Sequence, residues 1–150
     1  MASFIIPREI TILHEANANP ILMRYAGAAV TAGFPSPAAD YMEEEIDFNH
    51  YLKPRPNATF VIRVKGDSMT DAHIPNDALL IVDRSLKPSS NSIIIAIVDN
   101  EFTVKRLIKN SSGLHLMPAN NKYKPIHITG DMDFRVWGVV TQIIINANTV

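Results

Sequence analysis

Between residues 59 and 145 the apolar positions gather into short runs separated by turn formers. The runs are TFVIRV (59–64), ALLIVD (78–83), NSIIIAIVD (91–99), EFTVKRLI (101–108), LHLM (114–117), PIHI (125–128) and FRVWGVVTQIII (134–145). Each is rich in Val, Ile, Phe or Thr, residues whose branched or flat side chains suit a pleated surface. PND at 75–77, KPSSN at 87–91 and NSSG at 110–113 punctuate them. Asp99-Asn100 between two apolar runs is a hairpin signal, because both residues tolerate positive φ. Short strands at close spacing predict an all-β body. The long last run should supply mostly core.

Upstream the texture differs. In DYMEEEIDFNHYL (40–52) the apolar or aromatic positions 41, 42, 46, 48, 51 and 52 permit one short helix. PILMRYAGAAVTAGFPSPAADY (20–41) is rich in Ala, Gly and Pro, gains little from burial and has poor β-propensity, so it reads as an extended or loosely ordered arm. IIPREITIL near the start suits either a short strand or a helical turn. The expected organisation is an arm over 1–40 and a β-rich domain over 41–150.

Composition narrows the chemistry. The chain has 150 residues, of which 47% are apolar, enough for one compact domain with a real core. Fourteen Lys plus Arg nearly balance fifteen Asp plus Glu, so no electrostatic footprint for nucleic acid or an anionic membrane appears. The absence of cysteine removes disulfides, thiolate metal sites and cysteine nucleophiles. The N-terminal residues lack the pattern of a signal peptide, and no run has the length of a membrane span, so the cytoplasm is the expected location.

VKGDSMTD (64–71) raises the catalytic question. The strand should end near Lys65, Gly66 permits a sharp turn, and Ser68 follows where the chain leaves the sheet. Free backbone N–H groups there would suit an oxyanion. An ordinary turn, with Ser68 as a helix cap, explains the same residues. A serine nucleophile needs a base. The histidines are His14, His50, His73, His115 and His127; none lies within four residues of Ser68, and no GxSxG elbow is present. Lysine is the remaining base. Strand alternation in EFTVKRL places Thr103, Lys105 and Leu107 on one face. An amine beside Leu107 would be desolvated, which disfavours its charged form. A solvated strand lysine is the plainer alternative.

GDSM (66–69), IVD (81–83) and EFTVKRL (101–107), following AGFPSPAADY (32–41) in that order, together resemble the UmuD-type members of the LexA-like Ser–Lys self-cleaving proteins, peptidase family S24. The resemblance covers about 31–145. It implies a LexA/signal-peptidase-like β-rich catalytic domain with an extended N-terminal arm. It also implies Ser68 as nucleophile, Lys105 as general base, the backbone N–H groups of Asp67 and Ser68 as oxyanion hole, and Ala32–Gly33 as the bond cut. Small residues there would let the backbone enter a narrow cleft, with Phe34 as an anchor. Neither a metal nor another cofactor is implied. The sequence departs from its relatives at Asn76-Asp77-Ala78 and Asn91-Ser92, where Gly-Asp pairs are usual; Asn and Asp are the best substitutes at positive φ.

The family further implies bacterial SOS function. Cleavage would be promoted by a RecA–single-stranded-DNA filament, and the shortened homodimer would serve a UmuC-type Y-family translesion polymerase, without direct DNA binding or a membrane. The alternatives are a non-catalytic dimeric interaction module and a fragment of a LexA-like repressor. A repressor would need a helix-turn-helix that 32 residues without two amphipathic helices do not supply. A type I signal peptidase shares the chemistry but needs a membrane anchor.

Overall fold

The computed structural model describes residues 22–26, 32–33, 43–52, 55 and 58–149. They fall into two units, one within 16–54 and one from Arg55 onward.

In the first unit, β1 (Leu22–Ala26) pairs antiparallel with β2 (Glu43–Asp47), Leu22 opposite Asp47 and Ala26 opposite Glu43. A single helical turn, α1 (Phe48–Tyr51), follows, its two terminal rings 6.0 Å apart. The segment 40–52, which permits one short helix, holds a strand followed by that single helical turn, and the arm, read as extended or loosely ordered, contributes a strand. Helical spacing over six positions is a weak signal, and one-turn helices are marginal alone. Cross-strand pairing outweighs low β-propensity once a partner is present. The IIPREITIL segment and Phe34 lie outside the described residues.

The second unit is one antiparallel sheet. Its strands are β3 (Thr59–Arg63), β4 (Leu79–Asp83), β5 (Ile93–Val98), β6 (Glu101–Asn110), β7 (Gly113–Met117), β8 (Ile126–His127) and β9 (Phe134–Ile144). All seven apolar runs became strands. The order is β3-β4-β9-β5-β6-β7-β8, so the C-terminal strand inserts between β4 and β5.

Side-chain alternation sends successive residues to opposite faces. Ile95 and Ile97 of β5 join one core cluster with Ile62, Leu80, Val82 and Trp137. Ile94 and Ala96 join a second with Leu107 and Leu116. Both faces of β5 are therefore covered, which is why its sequence is uniformly apolar. Each such side chain contributes about 1.5–3 kcal/mol on burial. Trp137 lies between Phe60 and Phe102, with ring centroids 5.3 and 6.1 Å away, and the Arg84 guanidinium lies 4.5 Å from its ring centroid. Beside it, Gly138 lets the strands pack closely: a Cβ there would stand 2.5 Å from Val82 Cγ1, so the neighbour would have to shift.

The turns use the residues that tolerate them. Asp99 and Asn100 both have positive φ (47° and 67°) in the β5–β6 hairpin. Asp77 (70°) and Asn91 (77°) adopt the same region at the two places where the sequence departs from its relatives. The turns therefore form without glycine.

Candidate active site

Ser68 is delivered by a break in the β3–β4 ladder. The pairing runs on to Val64, whose N–H donates to Ala78 O at 2.9 Å and whose O accepts from Asp77 N at 2.8 Å. Gly66 then takes φ +101°, a conformation costly for other residues, and the chain leaves the sheet. Its N–H donates to Asn76 Oδ1 at 2.8 Å. Met69 is 1% exposed and anchors the turn, and a short 3-10 turn, Thr70–Ala72, follows. Among the described residues the backbone N–H groups of Asp67 and Ser68 have no hydrogen-bond partner.

Lys105 sits mid-strand in β6, between β5 and β7. It is 8% exposed, rare for a lysine. Its Nζ donates to Thr103 Oγ1 at 2.8 Å, to Val104 O at 3.0 Å and to Ser68 Oγ at 3.1 Å. Residues 68 and 105 are thus in direct contact. Burial lowers the Lys105 pKa below the ordinary lysine value, because the charged form loses hydration. The three contacts suit both protonation states. An ammonium donates to all three oxygens; a neutral amine donates to Thr103 and Val104 and turns its lone pair to the Ser68 hydroxyl.

A cavity of about 140 Å³ opens beside Ser68 and Thr103. Its apolar lining comes from Ile62, Val64, Met69, Ile95, Phe102 and Val104, with Arg63 and Lys65 also on its wall. It has room for a stretch of backbone bearing a small side chain. Lys65 is tied to the Asp77 carboxylate, and Arg63 Nη1 donates to Asp77 O at 3.3 Å.

In the other unit, Ala32 and Gly33 are exposed. Gly33 has φ +116°, and a Cβ placed on it would meet nothing within 4 Å. None of the described histidines contacts Ser68. His115 and His127 stack on each other across β7 and β8 at 4.5 Å, and His73 caps the 3-10 turn with φ 62°. Among the described residues no cluster of His, Asp or Glu is suited to a metal ion, and no helix is long and apolar enough to cross a membrane.

Sequence reasoning placed Thr103 on the face of Lys105 without giving it a task; the structure puts its hydroxyl on the amine. It read Asn76 only as a turn residue, and it missed Asn120 and Tyr123, which hold the Ser68 turn from the loop after β7. A polar residue in a loop carries no signal of what it will cap.

A buried amine bonded to a turn serine, on an antiparallel sheet, defines a site suited to Ser–Lys acyl transfer. Comparison with known proteins agrees in class. A family model described as Peptidase S24-like matches residues 23–141. Protein MucA of Salmonella typhimurium is 43% identical over 117 residues, 77% of this chain and 80% of that protein. Protein SamA of Salmonella typhimurium strain LT2 is 45% identical over 113 residues, 75% and 78% of the two chains. A LexA repressor from Caldicellulosiruptor saccharolyticus is 36% identical over 141 residues, 92% of this chain and 67% of the repressor. The chain belongs to the Peptidase S24-like family, as a UmuD-type member of the LexA-like self-cleaving serine proteases.

Proposed function

We propose that Ser68 and Lys105 are a catalytic dyad that cuts the chain's own Ala32–Gly33 bond. The 3.1 Å contact between a desolvated amine and the serine hydroxyl carries this reading. The neutral amine takes the Ser68 proton as Oγ bonds to the Ala32 carbonyl carbon. The developing oxyanion is held by the N–H groups of Asp67 and Ser68. Collapse breaks the Ala32–Gly33 bond, and the Lys105 ammonium returns its proton to the leaving Gly33 amine. Water, deprotonated by Lys105, then hydrolyses the Ala32 ester, frees residues 1–32 and restores Ser68. The cavity's size and apolar lining suit alanine and its backbone. Attack within one chain gains a high effective concentration from the tether.

The role follows from the same reading. A RecA–single-stranded-DNA filament promotes cleavage by favouring the engaged arm, a population shift. The 33–150 product, as a homodimer in the bacterial cytoplasm, serves a UmuC-type Y-family polymerase in translesion synthesis. The homology to MucA and SamA and the near-neutral charge support a factor that reaches DNA through partners.

The test is incubation of the purified chain across pH, with fragment masses followed. Cleavage is expected only at 32/33, at a rate that rises with pH as Lys105 loses its proton and then levels. Ser68→Ala, Lys105→Ala and Lys105→Arg are expected to be inert, since guanidinium does not deprotonate. Normal cleavage by Lys105→Arg would refute the neutral-amine mechanism. A pull-down with a RecA filament and a Y-family polymerase separates the SOS role from an inert dimeric module.

A further inference from the structure

The loop after β7 holds the Ser68 turn at three backbone groups, Asp67 O, Ser68 O and Asp71 N. Ala119 N–H donates to Ser68 O at 2.8 Å, and Asp71 N–H donates to Ala119 O at 2.8 Å. These two bonds need no side chain and dock the loop whatever residue follows. Within the turn, Thr70 N–H reaches Asp67 O at a long 3.4 Å, and two side chains then act on Asp67 more closely. Asn120 Nδ2 donates to Asp67 O at 2.8 Å, and the Tyr123 hydroxyl donates to the Asp67 carboxylate. The Asn120 amide has a fixed orientation, because its Oδ1 accepts from Lys122 N at 3.0 Å. The Tyr123 N–H closes the same turn on Asn120 O at 3.1 Å.

The geometry of one peptide group gives these contacts a consequence. The Asp67–Ser68 peptide is planar and trans, so its C=O and N–H point in opposite directions. A donor that pins Asp67 O therefore aims Ser68 N–H the other way. That N–H has no partner among the described residues, which is the condition for receiving an oxyanion. We infer that Asn120 and Tyr123 are positioning residues: Asn120 aims the Ser68 N–H by holding the Asp67 carbonyl, and Tyr123 holds the Asp67 side chain clear of it. The inference rests on the reading of Ser68 as nucleophile and extends it from the dyad to the loop that orients its oxyanion donors. Only an amide serves at 120, since the site needs a donor toward Asp67 and an acceptor toward Lys122. The carboxylate of Asp67 also raises the Tyr123 pKa, so the phenol remains a donor as the solution turns alkaline and Lys105 becomes neutral.

The test uses the full-length chain and two readouts: self-cleavage across pH, and labelling of Ser68 by a fluorophosphonate followed by intact mass. Asn120→Asp is nearly isosteric and keeps the Lys122 contact, but sets an acceptor against the Asp67 carbonyl. It is expected to lower the plateau of both rates by about 30–100-fold, the scale of a misaimed oxyanion donor. The midpoint of the pH profile should not move, because Lys105 keeps its contacts; a loosened structure that admitted water to the amine would shift it upward. Tyr123→Phe should slow both reactions about 5–10-fold in the chain with Asp67, and by nothing further when Asp67→Ala is already present. Thermal melting screens the variants, and Asn120→Ala decides by the same criteria if Asn120→Asp fails to fold. Rates within threefold of the unaltered chain, a shifted midpoint, or additive losses in the Asp67→Ala/Tyr123→Phe pair would each overturn the inference while leaving Ser68 its role. If the unaltered chain neither cleaves nor labels, or Ser68→Ala still does, the reading of Ser68 falls and this inference with it.

Discussion

Replacing Lys105 by methionine in a Ser68→Ala background tests the buried amine without interference from cleavage. Methionine keeps the length and apolar stem of the side chain and removes its charge. Lys105 is 8% exposed and its pKa is lowered by burial. Below its folded-state pKa the amine is protonated in both folded and unfolded chains, and the folded chain bears the cost of a poorly hydrated charge. Between that pKa and 10.5 the unfolded chain holds one proton more than the folded chain. Stability must then rise with pH, at up to about 1.4 kcal/mol per pH unit for a single proton. Above 10.5 the contribution is complete. The methionine chain has no such group and lacks this slope. Urea unfolding of both chains, at steps of half a pH unit through the alkaline range, gives the difference directly. The expected result is a gap that shifts in favour of the lysine chain as pH rises, then becomes constant. Two parallel stability curves would show that the amine ionises in the folded chain as it does in water. That outcome would remove the basis for Lys105 as a general base.

Thr103→Val removes the hydroxyl 2.8 Å from Lys105 Nζ while preserving shape; self-cleavage should fall about tenfold, as expected when a catalytic group loses its alignment, with little change in melting temperature. Asp83→Ala deletes a buried carboxylate that accepts from Ser85 N (2.7 Å) and Ser85 Oγ (2.6 Å) and faces Arg55 Nη1 at 3.5 Å. Chemical denaturation should show a loss of about 1.5–3 kcal/mol, the scale of hydrogen bonds to a charged acceptor; the donors themselves are exposed and regain water. Gly138→Ala should cost about 1–3 kcal/mol by forcing a Cβ onto Val82. Val82→Ala should relieve part of that loss, so the pair is expected to be less than additive in a double-mutant cycle.

The strand content of this protein was legible in its local pattern. Seven apolar runs, bounded by Gly, Pro, Asn and Asp, became seven strands, because burial on a pleated surface selects β-branched residues wherever the strand ends up. The turn residues were equally direct: Asp77, Asn91, Asp99 and Asn100 take positive φ as their short polar side chains allow. Position 105 was readable as a lysine on the face of an apolar leucine. The pairing of 22–26 with 43–47 was not, since a strand of weak propensity depends on a partner that its own residues do not specify. Tertiary structure alone decided that β9 inserts between β4 and β5, and that β5 is covered on both faces. It alone set Ser68 Oγ 3.1 Å from an amine 37 positions away. It also brought Asn120 and Tyr123 to Asp67, more than fifty residues back along the chain. Local pattern encodes which face a residue prefers. Contacts at such separations arise only when the whole sheet assembles, because no short segment carries the free energy to hold them.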